Sequence, residues 1–456
     1  MGAAIHTSDV QSRTVRKVAV RLIPALLVLY IIAYLDRVNV SFAQDKLESD
    51  LGFSGAVYGF GAGVFFLGYF LLEVPSNLAL HKFGARRWIA RIMITWGIIS
   101  ACMTLVTGPV GFYVVRFLLG VAEAGFFPGM ILYLSYWFPA RERAKAVGFF
   151  MSAIAISYAI GAPISGGVMS VLGGVWGLSD WQWLFIIEAI PALIAGVAVW
   201  RWLPDGPEHA GWLADDERGW LAARLEGEEE VRLRHERHTL GEVFKDRRIL
   251  AFALLYFTMV INVYGLSFWV GEIVDKVGGL SDVGKGFVTA IPYAVAIVGM
   301  VVIPRNSDRT GDRKLHCAVS FGLAAIAFAV STVVSPVMAI VMLAVGLFFL
   351  LGAHAVFWTM PAALLSGAAA AAGIAMINSI GNLGGFAGPY LVGLMKDATG
   401  STDGGLVALA VILAFGAVLA TRVTHVRETE QPPERRTGRF DREASREAVM
   451  DSSSTM

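Results

Sequence analysis

Twelve apolar runs, six on either side of one charged segment, constrain this chain more than any other feature. They occupy residues 18–43, 56–80, 88–106, 112–136, 144–172 and 181–203, then 249–270, 283–303, 315–334, 336–365, 373–395 and 406–423. Each suits a helix crossing a bilayer, which needs about 20 mostly apolar residues. Outer-membrane strands would be about 10 residues long with strict alternation. The remaining composition agrees. Charged residues make up 16%, against about 25% in a soluble domain, and residues 1–21, 204–248 and 422–456 hold 39 of the 73 charges. What is left is too sparse to cover soluble domains with a water-facing surface. A soluble enzyme, a nucleic-acid binder (net charge +1) and a disordered chain are excluded. The expected fold class is an all-α membrane protein, with 12 transmembrane helices as two six-helix halves.

The expected organisation is a cytoplasmic N-terminal tail (1–17), a six-helix bundle (18–203), a linker (204–248), a second bundle (249–424) and a disordered cytoplasmic tail (425–456). The first run is too long for a signal-peptide core and is expected to stay as the first span. Lysine and arginine in short loops set the orientation. Lys82, Arg86, Arg87, Arg91, Arg141, Arg143, Lys145, Arg305, Arg309, Arg313 and Lys314 fall on one side, against Lys46, Lys276, Lys285 and Lys396 on the other. Both termini and the linker are therefore expected in the cytoplasm of a bacterial-type inner membrane. The linker mixes both signs of charge and reads as a solvated surface helix. Cys102 and Cys317 make no disulfide framework, and no metal-ligand spacing or nucleophile motif occurs.

Two basic loops look like copies: His-Lys-Phe-Gly-Ala-Arg-Arg at 81–87 and Ser-Asp-Arg-Thr-Gly-Asp-Arg-Lys at 307–314. Each joins the second and third helices of its half. Repeated halves mark secondary transporters, with the substrate site near mid-membrane between them. Further motifs are Tyr-Leu-Asp-Arg-Val-Asn at 34–39, Gly-Tyr-Phe-Leu-Leu-Glu-Val-Pro-Ser-Asn at 68–77 and Arg-Phe-Leu-Leu-Gly-Val-Ala-Glu-Ala-Gly at 116–125. The second half adds Phe-Trp-Thr-Met-Pro at 357–361 and Asn-Ser-Ile-Gly-Asn-Leu-Gly-Gly at 378–385. With these residues the chain resembles the major facilitator superfamily and, more narrowly, its anion:cation symporter family of tartrate, phthalate, galactonate and related carboxylate permeases.

Seven ionisable groups lie well inside the spans, away from their ends: Asp36, Arg37, Glu73, Arg116, Glu123, Glu188 and His354. Each is costly in lipid and demands a partner, a wet cavity or a function. The plain alternative is a set of interhelix ion pairs. Arg116 and Glu123, seven apart, share a helix face, as do Tyr69 and Glu73, four apart. Asp36 and Arg37 are adjacent and point about 100° apart. With all ionised, Asp36, Glu73 and Glu123 against Arg37 and Arg116 sum to −1, so an incoming carboxylate calls for protonation. Binding of substrate and protons then favour each other, which is symport.

The resemblance implies the same roles: Asp36 and Glu123 as proton carriers, Arg37 and Arg116 as a carboxylate clamp, and Tyr69 as a hydrogen-bond donor. Trp358, Thr359, Asn378 and Asn382 are the second half's recognition candidates, Asn378 and Asn382 sharing a face; the alternative for the amides is polar glue between helices. His354 reads as a core histidine or a pH-sensitive site group. The resemblance assigns the basic loops, through Arg86, Asp308, Arg309 and Arg313, to a conformational lock. His81 stands where Asp is usual, and Pro304 where Gly is usual.

The expected partners are a small organic anion, protons and the lipid bilayer, with no nucleic acid. No cofactor or metal is expected; the coupling ion is the proton, and the family implies a monomer. The rival readings are a drug-efflux antiporter on the same fold and, from another class, a membrane sensor or membrane enzyme.

Overall fold

The computed structural model describes residues 2–234, 246–364 and 367–423; the expected tail at 425–456 lies outside them. A long helix stands at each of the twelve apolar runs. They are α1 (Gly2–Phe42), α2 (Gly55–Phe83), α3 (Ala85–Ala101), α4 (Pro109–Glu123, continuing as Phe126–Ser135), α5 (Ala140–Met151, continuing as Ala153–Leu172) and α6 (Asp180–Trp202). The second half has α7 (Arg247–Ser267), α8 (Asp282–Thr310), α9 (Arg313–Ser331), α10 (Pro336–Leu364), α11 (Gly367–Thr399) and α12 (Asp403–Arg422). Among the described residues, eleven helices are long and apolar enough to cross a membrane. α11 is the exception, because glycine and the amides Asn378 and Asn382 dilute it. The chain is an all-α, multi-pass membrane protein.

α1 is helical from Gly2, so the first span's helix extends back through polar residues 2–17. The linker is also more than a solvated surface. Its helix, Asp215–Arg234, buries Glu217 and Leu221. Glu217 takes hydrogen bonds from Arg13 at 3.1 Å, Lys17 at 2.8 Å and the Ala214 amide at 2.9 Å. Trp212 stacks on Trp137 with centroids 5.6 Å apart, and Arg21 lies over its ring. The linker thus docks on the first half, beneath α1.

The direction of α1 defines two faces of the molecule: the terminal face, where α1 begins and α12 ends, and the far face. The halves meet through α2 against α11 and α5 against α8, most closely toward the far face. Gly55, Gly59 and Gly63 present a flat stripe to the backbone of α11, where a Cβ on Gly59 would collide with the Pro389 carbonyl. Asp397 of α11 reaches across to the start of α2, accepting from the Gly55 amide at 2.8 Å and the Ala56 amide at 2.9 Å. Ser54 accepts from Val57 within the first half. One cap of α2 is therefore supplied by each half, satisfying amides that a helix start leaves open. Beside it, Lys396 bridges Glu48 of the first half and Glu272 of the second, at 2.7 and 2.8 Å.

Candidate functional site

Between the halves lies a cavity walled by aromatic and apolar side chains with a few polar groups among them, the usual make-up of a small-molecule site. Arg37, Tyr69 and the tyrosines Tyr30 and Tyr34 come from the first half. Tyr256, Tyr264, His354, Asn378 and Asn382 come from the second.

Arg37 is the cation of this wall among the described residues. It is buried, forms an ion pair with buried Glu123 through Nη2, and donates from Nη1 to the Tyr264 hydroxyl at 3.2 Å. That hydroxyl lies 3.1 Å from the Tyr34 hydroxyl. The rings of Tyr34, Phe65 and Tyr69 flank the guanidinium with centroids at 4.9, 5.2 and 5.4 Å, within cation–π range. Its Nε is buried and has no hydrogen-bond partner. α4 breaks just after Glu123, at Ala124 and Gly125; Gly125 adopts φ +84°, which favours glycine.

Glu73 lies between the halves. Its carboxylate accepts from Asn378 at 2.9 Å and from Ser379 at 3.5 Å, so α2 and α11 are also joined on the terminal side of the glycine stripe. Tyr69, one turn earlier, lines the cavity.

Other expected residues stand away from the cavity. Asp36 turns its back on Arg37, as adjacent helical positions require, and accepts from Trp96 at 2.7 Å and Ser100 at 2.9 Å, both on α3. Arg116 is fully buried and donates to the carbonyls of Gly61 at 3.4 Å and Ala62 at 3.2 Å. It sits more than two turns' rise from the α4 break, so the two arginines do not converge on one cavity. Trp358 packs edge-on against Tyr256 at 4.8 Å, behind the wall. The Thr359 hydroxyl bonds the Val356 carbonyl of its own helix at 2.7 Å. Glu188 accepts from Ser165 at 2.7 Å between α5 and α6.

In the basic loops, Arg86 meets Asp205, just after α6, through its backbone amide at 2.8 Å and its side chain at 3.8 Å. Arg313 pairs with Asp308. Capping of α9 falls to Asp312, which accepts from the Leu315 amide at 3.0 Å. Asp308 stands before the loop's glycine turn and faces Arg313. Arg309 is exposed. Asn77 bonds the Glu73 carbonyl of its own helix at 3.0 Å.

The tyrosines were missed by sequence reasoning. The signal was available: Tyr30 and Tyr34 are four apart, and Tyr256 and Tyr264 eight apart, so each pair shares a helix face with other cavity residues.

Two pseudo-repeated bundles closing on a central cavity, with the arginine of a buried ion pair in its wall, are the architecture of a secondary transporter. The family profile of the Major Facilitator Superfamily matches residues 26–389, and the chain belongs to that superfamily. It is a transporter, not an enzyme. Within the superfamily it stands in the anion:cation symporter family to which its motifs pointed. A "Putative tartrate transporter" of Agrobacterium vitis is 48% identical over 91% of this chain and 92% of that protein. A "Quinolone resistance transporter" of Acinetobacter baumannii is 44% identical over 90% and 95%. In fold, the chain is similar to an inward-facing bacterial homologue of the human lysosomal transporter Spinster, with TM-score 0.73 and 17% identity over 90% of this chain and 98% of that one.

Proposed function

We propose that the protein carries a small organic carboxylate together with protons by alternating access, as a monomer in a bacterial inner membrane with both termini cytoplasmic. The observation that carries this reading is the Arg37–Glu123 pair beside the cavity. While Glu123 is ionised the pair is neutral, and an incoming carboxylate must compete for Arg37. Protonating Glu123 releases one side of the guanidinium, adding to the Nε that is already unpartnered. The carboxylate then replaces Glu123 at a fork suited to bidentate pairing. Charge balances: zero in the empty pair, +1 when protonated, zero when loaded with a monoanion. Unbalanced charge in a low-dielectric interior is expensive, so proton and anion enter together. In the relative from Agrobacterium vitis the name specifies tartrate, which fits this class of cargo.

In this reading Asp36, behind Arg37, is a second proton site. Arg116 braces α2 against α4 instead of clamping substrate. Tyr69, Asn378 and Asn382 complete the cavity, Glu73 ties the halves together, and the Arg86, Asp308, Arg309 and Arg313 loops brace the terminal face.

Uptake of labelled carboxylates into proteoliposomes, with and without an inward pH gradient, tests the proposal. Wild type is expected to accumulate substrate only with the gradient. Glu123→Gln is expected to exchange substrate across the membrane while losing accumulation. Accumulation that persists in Glu123→Gln would sink the proton assignment. The quinolone-resistance relative supports export as a second reading; net efflux from loaded vesicles under the same gradient would favour it.

A further inference from the structure

The two walls of the cavity differ in chemistry. The first half supplies the cation, Arg37. The second half supplies His354, Asn378, Asn382 and the rings of Tyr256 and Tyr264, and no cation among the described lining residues. His354 stands out. It sits in the middle of α10 with its ring 5.7 Å from Tyr256, and its Nε2 is buried without a hydrogen-bond partner. A buried polar nitrogen left unpaired is destabilising, and here the residue that carries it lines the cavity. Asn378 has its amide nitrogen committed to Glu73, which leaves its carbonyl oxygen as an acceptor beside the same space.

We infer that His354 is a specificity-determining residue that hydrogen-bonds a hydroxyl group of the substrate, so that the cargo is a hydroxy-carboxylate spanning the halves, carboxylate on Arg37 and hydroxyl on His354. The inference rests on the carboxylate reading above and deepens it. A hydroxyl both donates and accepts, so it satisfies Nε2 in either imidazole tautomer. An unsubstituted aliphatic or aromatic carboxylate leaves the nitrogen unpaired when water is expelled, and a site built for a hydroxyl rejects the analogue that lacks it. Because His354 belongs to the opposite half from Arg37, it also gives the substrate a hold on both halves, which a carboxylate bound only to Arg37 does not have.

Competition for uptake in proteoliposomes, using glycerate against propionate and malate against succinate, separates hydroxyl from charge. Wild type is expected to prefer the hydroxylated member of each pair by at least about tenfold. His354→Phe is expected to bring each ratio to within about threefold; His354→Gln, which keeps a donor and an acceptor, is expected to retain part of the preference. Thermal unfolding of both variants in detergent identifies a folding defect, and His354→Gln then carries the test. An unchanged ratio in both variants, or equal weakening of both members of each pair, overturns the inference. A wild type that binds all four acids without preference overturns it and leaves the carboxylate reading standing. A wild type that binds none overturns both.

Discussion

Arg37 is fixed on every side but one. Glu123 and Tyr264 take its two Nη atoms, and three rings flank its plane. A lysine at this position would keep the charge but lose the fork and the stacking, because an ammonium is a point charge on a flexible stem. Arg37→Lys is expected to weaken substrate binding about 10- to 100-fold, as read by the half-saturating concentration for exchange, while the protein still inserts and folds. Its neighbour shows why residue identity alone was not enough. Asp36 and Arg37 were both legible as costly intramembrane charges, and helical geometry required them to diverge. The partners that receive them, Trp96 and Ser100 for one and Glu123 for the other, lie 60 or more positions away in sequence. Arg116 was placed on the correct helix face relative to Glu123. Their partners then separated their fates, the carbonyls of Gly61 and Ala62 for Arg116 and the Arg37 guanidinium for Glu123, and neither leaves a trace in spacing.

At the scale of elements, the docking of the linker helix on α1 turns on Glu217. Burial alone would raise its pKa, but the hydrogen bonds from Lys17, the Ala214 amide and Arg13 outweigh it and hold the carboxyl below its ordinary range. A carboxylate whose pKa is depressed in the folded state stabilises that state above its unfolded pKa of about 4.3, and the contribution is lost as pH falls through the folded value. Both cations are partly exposed, so the contribution is modest, about 1–2 kcal/mol. Limited proteolysis of the linker is expected to accelerate below about pH 4 in wild type, and Glu217→Gln is expected to show the faster rate already at pH 7. Equal rates for the two proteins at pH 7 would show that the contact does not hold the linker. The twelve spans were readable because lipid imposes length and apolarity on each one separately. The linker was not: Trp212 meets Arg21 of α1 and Trp137 just after α4, Glu217 meets Arg13 and Lys17 of α1, and a short amphipathic stretch among charges carries no mark of which surface it covers.

For the molecule as a whole, the far face is held by contacts that cross between halves, and each must break if that face opens. Lys396 keeps two carboxylates of opposite halves, Glu48 and Glu272, from facing each other unneutralised. Lys396→Ala turns that attraction into repulsion. In a background with Cys102 and Cys317 replaced by alanine, spin labels at Ser49 and Ala398, exposed on the two halves, are expected to report a longer mean distance in Lys396→Ala than with Lys396 present. No change would show that the glycine stripe alone sets closure. The stripe itself was legible, since glycines at four-residue spacing mark a flat helix face; its partner, α11, was not, because spacing does not say which helix will lie against it.

The cross-half cap on α2 has one more consequence. Because Asp397 belongs to one half and the Gly55 and Ala56 amides to the other, the first turn of α2 is complete only while the far face is shut. Those two amide protons are shielded in one state and offered to water in the other. Their deuterium uptake therefore counts far-face openings directly, in unlabelled protein and without any substrate, so the resting tempo of the cycle can be timed at two backbone atoms.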